Sequence, residues 1–321
     1  MRVRKARIVD VCLLVLVNTL WAAQYTAYKV ATGKMGPLTV SAWTFLISSL
    51  VLLPFLGWDR RQAKASALPP VGAEILATPP ARWTGRNLRA LAVAGVLGLV
   101  PGSVLLAWGV DRSTASNAAI IYLTLPVFTS VLAAILLGER MTRLRWVSLA
   151  IALGGVLILS TPDLAQLHLA RGQFLLGNLL VLLACLGSSL YNVYCKDLLN
   201  HFSPLEVLIY GYALAFAAIL LLMPWAEPIS PSSIAAYGVE AWIALLVLSV
   251  FSWGLAMVLW MFLLKRLDVS QASVSIYLMP FLGVVISAIT LHETIGLSTL
   301  AGGLLTLAGT ILITTLEPST A

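Results

Sequence analysis

Apolar residues run along this chain in long blocks, interrupted by short polar breaks. Ten blocks can be read, at 8–31, 37–57, 88–110, 115–137, 145–161, 174–195, 205–224, 241–264, 270–291 and 296–315. A bilayer core needs about 20 predominantly apolar residues per helix. The blocks therefore predict an all-α integral membrane fold of ten transmembrane helices, joined mostly by tight turns carrying Gly, Pro, Asp or Asn. The fifth block is short, so that helix is expected to tilt or to thin the bilayer locally. One connection differs: residues 58–87 hold Asp59-Arg60-Arg61, Lys64, Pro69-Pro70, Pro79-Pro80 and Arg82 with no apolar periodicity. It reads as a mobile cytoplasmic loop. The basic start Met1–Arg7 and the apolar run after it look like a signal peptide. The run continues past Ala22-Ala23 to Ala31, however, which favours an uncleaved first helix.

Composition narrows the class. Of 321 residues, 60% are hydrophobic and 10% charged, against about 45–50% and 25% in soluble domains. A mean hydropathy of +0.96 leaves no room for a large soluble domain. The net charge of +7 comes from residues at the ends of apolar runs. Topology and anionic lipid explain that placement, and nucleic acid is not an expected partner. With the N-terminus inside, 16 of the 20 Lys and Arg fall on the cytoplasmic side, and only Lys29, Lys34, Arg112 and Arg171 fall outside. Both termini are then cytoplasmic, in a multi-pass protein of a bacterial inner membrane. Cys12, Cys185 and Cys195 read as small core residues, and His168, His201 and His292 are scattered at span ends. No phosphate loop or metal-ligand spacing stands out. The reading is of a non-enzyme without cofactor or metal.

An internal repeat sets the architecture. Ser116-Asn-Ala-Ala-Ile-Ile-Tyr-Leu-Thr-Leu-Pro126, then Gly138-Glu139 and Gly155, shifts by 154 onto Ser270-Gln-Ala-Ser-Val-Ser-Ile-Tyr-Leu-Met-Pro280, then His292-Glu293 and Gly309. Over 114–161 this gives 11 identities in 48 ungapped positions. Lys29 and Pro37-Leu38 shift by 167 onto Lys196 and Pro204-Leu205. Each half then holds five spans, 1–162 and 163–321, and an odd number inverts one half relative to the other. Inverted repeats are a transporter signature, with the solute site near the midplane at the repeat interface. Lys29, Glu139, Lys196 and Glu293 fall at helix ends on opposite faces. They read as interface anchors or, more sharply, as groups that gate the two mouths alternately.

The same residues resemble the EamA family of the drug/metabolite transporter superfamily. The pattern stands here as Thr114-Ala-Ser-Asn-Ala-Ala, Leu125-Pro126-Val-Phe, Leu136-Leu-Gly-Glu139-Arg-Met-Thr and Gly154-Gly155-Val, with Trp21, Lys29 and Pro37 in the first-helix pattern. The resemblance covers essentially the whole chain. It implies two inverted five-helix halves, solute movement across the inner membrane, often export of amino acids or other metabolites, and a cavity lined mainly by helices 1, 3, 4, 6, 8 and 9. Three departures stand out. Trp43 and Thr44 lie where a basic residue often follows the proline of helix 2; His292 replaces Gly before Glu293; and the 58–87 loop is long.

Within these span boundaries no Asp, Glu, Lys or Arg lies mid-helix, which disfavours a cation antiporter built on a buried carboxylate. Polar and aromatic residues do interrupt the cavity helices. Asn18, Trp21 and Tyr25 share one helical face, with Gln24 beside them. Span 6 carries Ser188, Tyr191 and Asn192. Trp108 and Trp253 stand in spans 3 and 8, and Asn117, Tyr122, Ser275 and Tyr277 precede the helix-breaking Pro126 and Pro280. Each proline frees carbonyls one turn earlier, which a membrane tolerates where neighbours or a wet cavity satisfy them. Trp108 and Trp260, near span ends, read equally as interface-belt residues. The expectation is a secondary transporter, an exporter of amino acids or related metabolites working by alternating access as a monomer. Its partners would be a small-molecule solute and membrane lipid. The alternative is a non-transporting regulator or lipid-handling partner protein.

Overall fold

The computed structural model describes residues 2–32, 34–66, 82–112, 121–159, 172–227, 234, 236–291 and 297–316. Among them the chain is helical, without strands, and a helix falls on each predicted segment. The first two helices are α1 (Arg2–Thr32) and α2 (Pro37–Ser66). Helix α3 covers 85–111 and is wound in part as π-helix, at Val93–Leu99 and Pro101–Leu105. Next come α4 (Leu125–Leu137), α5 (Arg143–Leu159), α6 (Gly172–Leu198) and α7 (Pro204–Ala226). Helix α8 covers 238–266 with a π-helical stretch at Leu248–Ala256. Helix α9 covers 269–291 through a 3-10 turn at Ser275–Tyr277, and α10 is Leu297–Leu316. By length and composition, 37–58, 85–109, 175–198, 204–226 and 238–266 are long and apolar enough to cross a membrane. Leu125–Leu137 and Leu300–Leu316 are shorter apolar helices.

The expected 58–87 loop is shorter at both ends. Helix α2 continues to Ser66, because Asp59 through Ser66 contains no breaker and several good helix formers. Residues 82–87 are anchored rather than loose. The Thr84 hydroxyl accepts from the Asn87 N–H at 3.2 Å and caps α3. Arg82 pairs with Glu206 and lies over the Phe202 ring, while Trp83 meets Phe202 edge-on and Tyr210 at a tilt. Residues 67–81 of the expected loop lie outside the described residues.

The repeat is visible in packing. Helix α3 lies along α6, as α8 lies along α1; α4 meets α6 as α9 meets α1. Shifted by 154, the α8 π stretch falls on 94–102, inside the π-helical part of α3. Helices α5 and α10 pack on each other through glycines. A Cβ on Gly155 would meet the Gly302 carbonyl and Thr306 at 2.6 Å. A Cβ on Gly309 would meet the Ser148 carbonyl at 2.8 Å and Ala152 at 2.9 Å. Gly309, Gly302 and Thr306 are the 154-shifted mates of Gly155, Ser148 and Ala152, so each helix contributes the same patch to the other. The pairing runs early-to-late along both helices, which makes them antiparallel. Thr306 donates to the Ala152 carbonyl at 3.4 Å, two repeat mates touching directly. A pseudo-two-fold axis therefore passes through this contact.

Gly155→Ala should lower stability by about 1–3 kcal/mol, because the new methyl meets rigid backbone. Gly154→Ala, with nothing within 4 Å of the added carbon, should leave the melting temperature in detergent unchanged or slightly raised. Equal behaviour of the two variants would contradict this packing.

Candidate functional site

The breaks at the start of α4 and within α9 meet each other, against α5 and α10. In the first half, residues 123–124 form a turn before Pro126 opens α4. The carbonyls around that turn are met by donors from several directions. Thr124 returns its N–H and hydroxyl to the Ile121 carbonyl at 2.9 and 2.7 Å. The Ser189 hydroxyl of α6 donates to the Leu125 carbonyl at 3.2 Å and accepts from Thr129 at 3.0 Å. The Tyr277 hydroxyl of α9 donates to the Leu123 carbonyl at 2.9 Å. Leu123 and Tyr277 are again 154-shifted mates, so the two breaks touch on the pseudo-two-fold axis. In the second half, Ser275 begins the 3-10 turn and donates to the Ala272 carbonyl at 2.7 Å. The Asn18 amide of α1 donates to the Ser275 hydroxyl at 3.0 Å and to the Leu14 carbonyl at 2.8 Å.

The π stretch of α8 supplies a second set of polar backbone. A π turn shifts carbonyls away from their usual intrahelical donors, and such turns recur at functional sites. Here three helices donate to it: Ser48 of α2 to the Ser249 carbonyl at 2.9 Å, Trp21 of α1 to Ser252 at 3.3 Å, and Tyr212 of α7 to Trp253 at 2.6 Å. Aromatic rings close around this stretch. Trp21 lies 5.1 Å from Trp260, Trp253 lies 5.0 Å from Phe45, and Phe45 stacks on Tyr212 at 5.3 Å. Trp260 is 0% exposed and donates to Asn192 of α6 at 3.0 Å. It is therefore an interior residue and not part of an interface belt.

Of the residues expected to line a site, Asn18 bonds Ser275, Trp21 and Asn192 both meet Trp260, and Trp253 follows Ser252, the acceptor of Trp21. Tyr277 packs apart from them with Leu123, Leu149, Ala152 and Ile313, toward α5 and α10. Ser188 and Tyr191 sit on the α3–α6 seam, where Gly102 and Gly98 leave room for them. Trp108 and Tyr122 are half-buried against the main core. The side chains of Gln24, Tyr25 and Lys29, and all of Asn117 and Glu293, lie outside the described residues.

A charged cluster closes one end of the bundle. Glu139, just past α4, accepts from the Val269 and Ser270 N–H groups at 2.6 and 3.0 Å and from the Ser270 hydroxyl at 2.5 Å. It thus holds the start of α9 across the two halves, where the helix dipole favours an anion. Arg145, 1% exposed at its side chain, lies 3.6 Å from Glu139 and pairs with Asp268. Lys196 of α6 donates to the Leu264 and Leu267 carbonyls at the end of α8. Sequence reasoning singled out Glu139 and Lys196 but missed Arg145, Asp268 and Ser270. Arg145 passed as one more inward-side cation. The usable signal was the Asp268-x-x-Gln271 capping box. It marks a helix start whose remaining N–H groups need an acceptor.

A sequence profile of the EamA-like transporter family matches residues 9–161 and 175–315. The chain is 28% identical over 303 residues to a "Probable terminal-alkyne amino-acid exporter" of Streptantibioticus cattleyicolor, covering 94% of this chain and 91% of that one. It is also 28% identical over 303 residues to an uncharacterised transporter of Archaeoglobus fulgidus, covering 94% and 96%. A solved crystal structure shares the fold with a TM-score of 0.72 over 97% of both chains, at 20% identity.

Trp260→Phe should leave Asn192 without its buried donor and cost about 1–3 kcal/mol. Adding Asn192→Leu should restore part of that loss, since removing both partners is cheaper than orphaning one. Thermal melts of the two single variants and the double variant decide it; strict additivity would show that the pair is not coupled.

Proposed function

As this chain belongs to the EamA-like transporter family, we propose that it is a secondary transporter that exports amino acids or related metabolites by alternating access of two inverted five-helix halves, 1–162 and 163–321. It is a multi-pass membrane protein. In this reading it crosses the bacterial inner membrane ten times, with both termini in the cytoplasm. The single observation that carries the reading is the contact of the two broken helices through Tyr277 and the Leu123 carbonyl. Irregular backbone in a membrane belongs where it is buried in protein or lines a cavity, and in inverted-repeat transporters that place is the solute site.

The proposed site is Asn18, Trp21, Asn192, Trp253, Ser275 and Tyr277, joined by Gln24, Tyr25, Trp108, Asn117, Tyr122, Ser188 and Tyr191 from the same helices. Its polar groups are amides, hydroxyls and indoles. They suit a neutral or zwitterionic solute with an apolar or aromatic part, and they offer no fixed charge to hold a lone cation or anion. The name of the Streptantibioticus cattleyicolor relative supports an amino-acid substrate.

Gating follows from the repeat. The Glu139 hold on Val269 and Ser270, with the Lys196 clamp on α8, closes the end that the Lys and Arg distribution makes cytoplasmic. The shifted mates are Glu293 against Ser116, and Lys29 against the end of α3. In the opposite state these would close the outer mouth while the inner set opens.

Reconstituted with an amino-acid panel, the wild-type chain should show flux. Trp21→Ala and Tyr277→Ala should each cut it about tenfold, near 1.4 kcal/mol, at unchanged protein level. Unchanged flux in both variants would remove the site. Glu139→Gln should speed amide hydrogen exchange at Val269 and Ser270 and slow transport. If neither changes, Glu139 does not gate.

A further inference from the structure

A cavity of about 450 Å³ lies between α3, α4 and α6, at the end of α4 opposite its break. Its charged wall carries Arg86 and Arg89, one turn apart on α3, facing Asp197 of α6. Its apolar floor is Val93 with Leu136 and Leu137 at the end of α4. Two guanidiniums against one carboxylate leave one net positive charge. The Arg86–Asp197 pair, at 3.1 Å with the arginine side chain 76% exposed, is a surface pair that contributes little by itself. Leu136 in its lining is 47% exposed, so the cavity has an apolar side open to the surface where the bundle would face acyl chains. The volume falls within the range of small-ligand sites, roughly 300–1,000 Å³.

We propose that this cavity binds the phosphodiester headgroup of an anionic phospholipid from the leaflet on the Arg-rich side. Arg86 and Arg89 would hold the phosphate through charge-assisted hydrogen bonds, the geometry guanidinium favours. The first carbons of an acyl chain would lie over Val93, Leu136 and Leu137. Basic pockets between transmembrane helices on the cytoplasmic side take such headgroups. A single phosphodiester charge matches the single net charge of the cavity, and the apolar floor has no use for a free phosphate. The naming of the leaflet rests on the orientation proposed above; the binding itself does not.

The test uses the full chain in nanodiscs of equal parts phosphatidylglycerol and phosphatidylcholine, released and weighed by native mass spectrometry. Wild type should retain phosphatidylglycerol in preference. Arg86→Gln with Arg89→Gln should lower that retention about tenfold, the scale of one lost charged hydrogen bond. Asp197→Asn should raise it, because the opposing carboxylate is gone. Arg143→Gln, a basic residue outside the cavity, should leave retention as in wild type. Retention that falls no further in the double variant than in Arg143→Gln overturns the proposal. So does inorganic phosphate that displaces the lipid, which would make the occupant a soluble anion. No transport is measured, so a chain that moves no amino acid can still pass, and a working transporter can still fail.

Discussion

A backbone carbonyl or N–H left bare in hydrocarbon costs several kcal/mol, and much of this molecule is organised around paying that cost where helices break. Pro126 and Pro280 interrupt α4 and α9, and the π turns of α3 and α8 displace carbonyls from their usual donors. Each displaced group becomes a fixed address for a side chain on another helix. Ser189, Tyr277, Trp21, Tyr212 and Ser48 are held by such addresses, and Asn18 meets the Ser275 hydroxyl at the second break. Polar residues that look scattered in sequence therefore converge in space.

The same principle works at the charged end. The start of α9 presents N–H groups that α9 itself cannot satisfy, and Glu139 accepts from two of them. Arg145 and Asp268 bury their charges because each has the other. A buried pair of this kind is poor evidence for stability in its own right. Its value lies in the fact that its partners come from different halves of the chain, so relative movement of the halves must break it.

The helices and the repeat were legible in the sequence. Apolar blocks fixed where each helix falls, and Pro126/Pro280, Glu139/Glu293 and Gly155/Gly309 in one register exposed the duplication. The site was legible in part. Asn18, Trp21 and Tyr277 were found because polar groups beside helix breakers need a reason to be there. The π turns were not, since wide turns leave no residue pattern distinct from an ordinary apolar helix. Trp260 read equally as an interface residue because its burial depends on Asn192, 68 positions away. Arg145 looked like a topology signal until Asp268 was seen opposite it. The last two misses are long-range partners, which local periodicity cannot report.

The contacts on the pseudo-two-fold axis have a different standing from the rest. If the two halves exchange conformations, every off-axis contact is traded for the one between its repeat mates. A contact between mates is its own image only where both mates carry the group that makes it. Thr306 with Ala152, and Tyr277 with Leu123, join mates, but each bond runs from a hydroxyl of one half to a backbone carbonyl of the other, and its image would need a hydroxyl on Ala152 or Leu123. Both bonds are therefore one-sided, and an exchange of conformations between the halves would have no equivalent bond to form in return. If such an exchange occurs, Tyr277 and Thr306 favour the arrangement described here over its image.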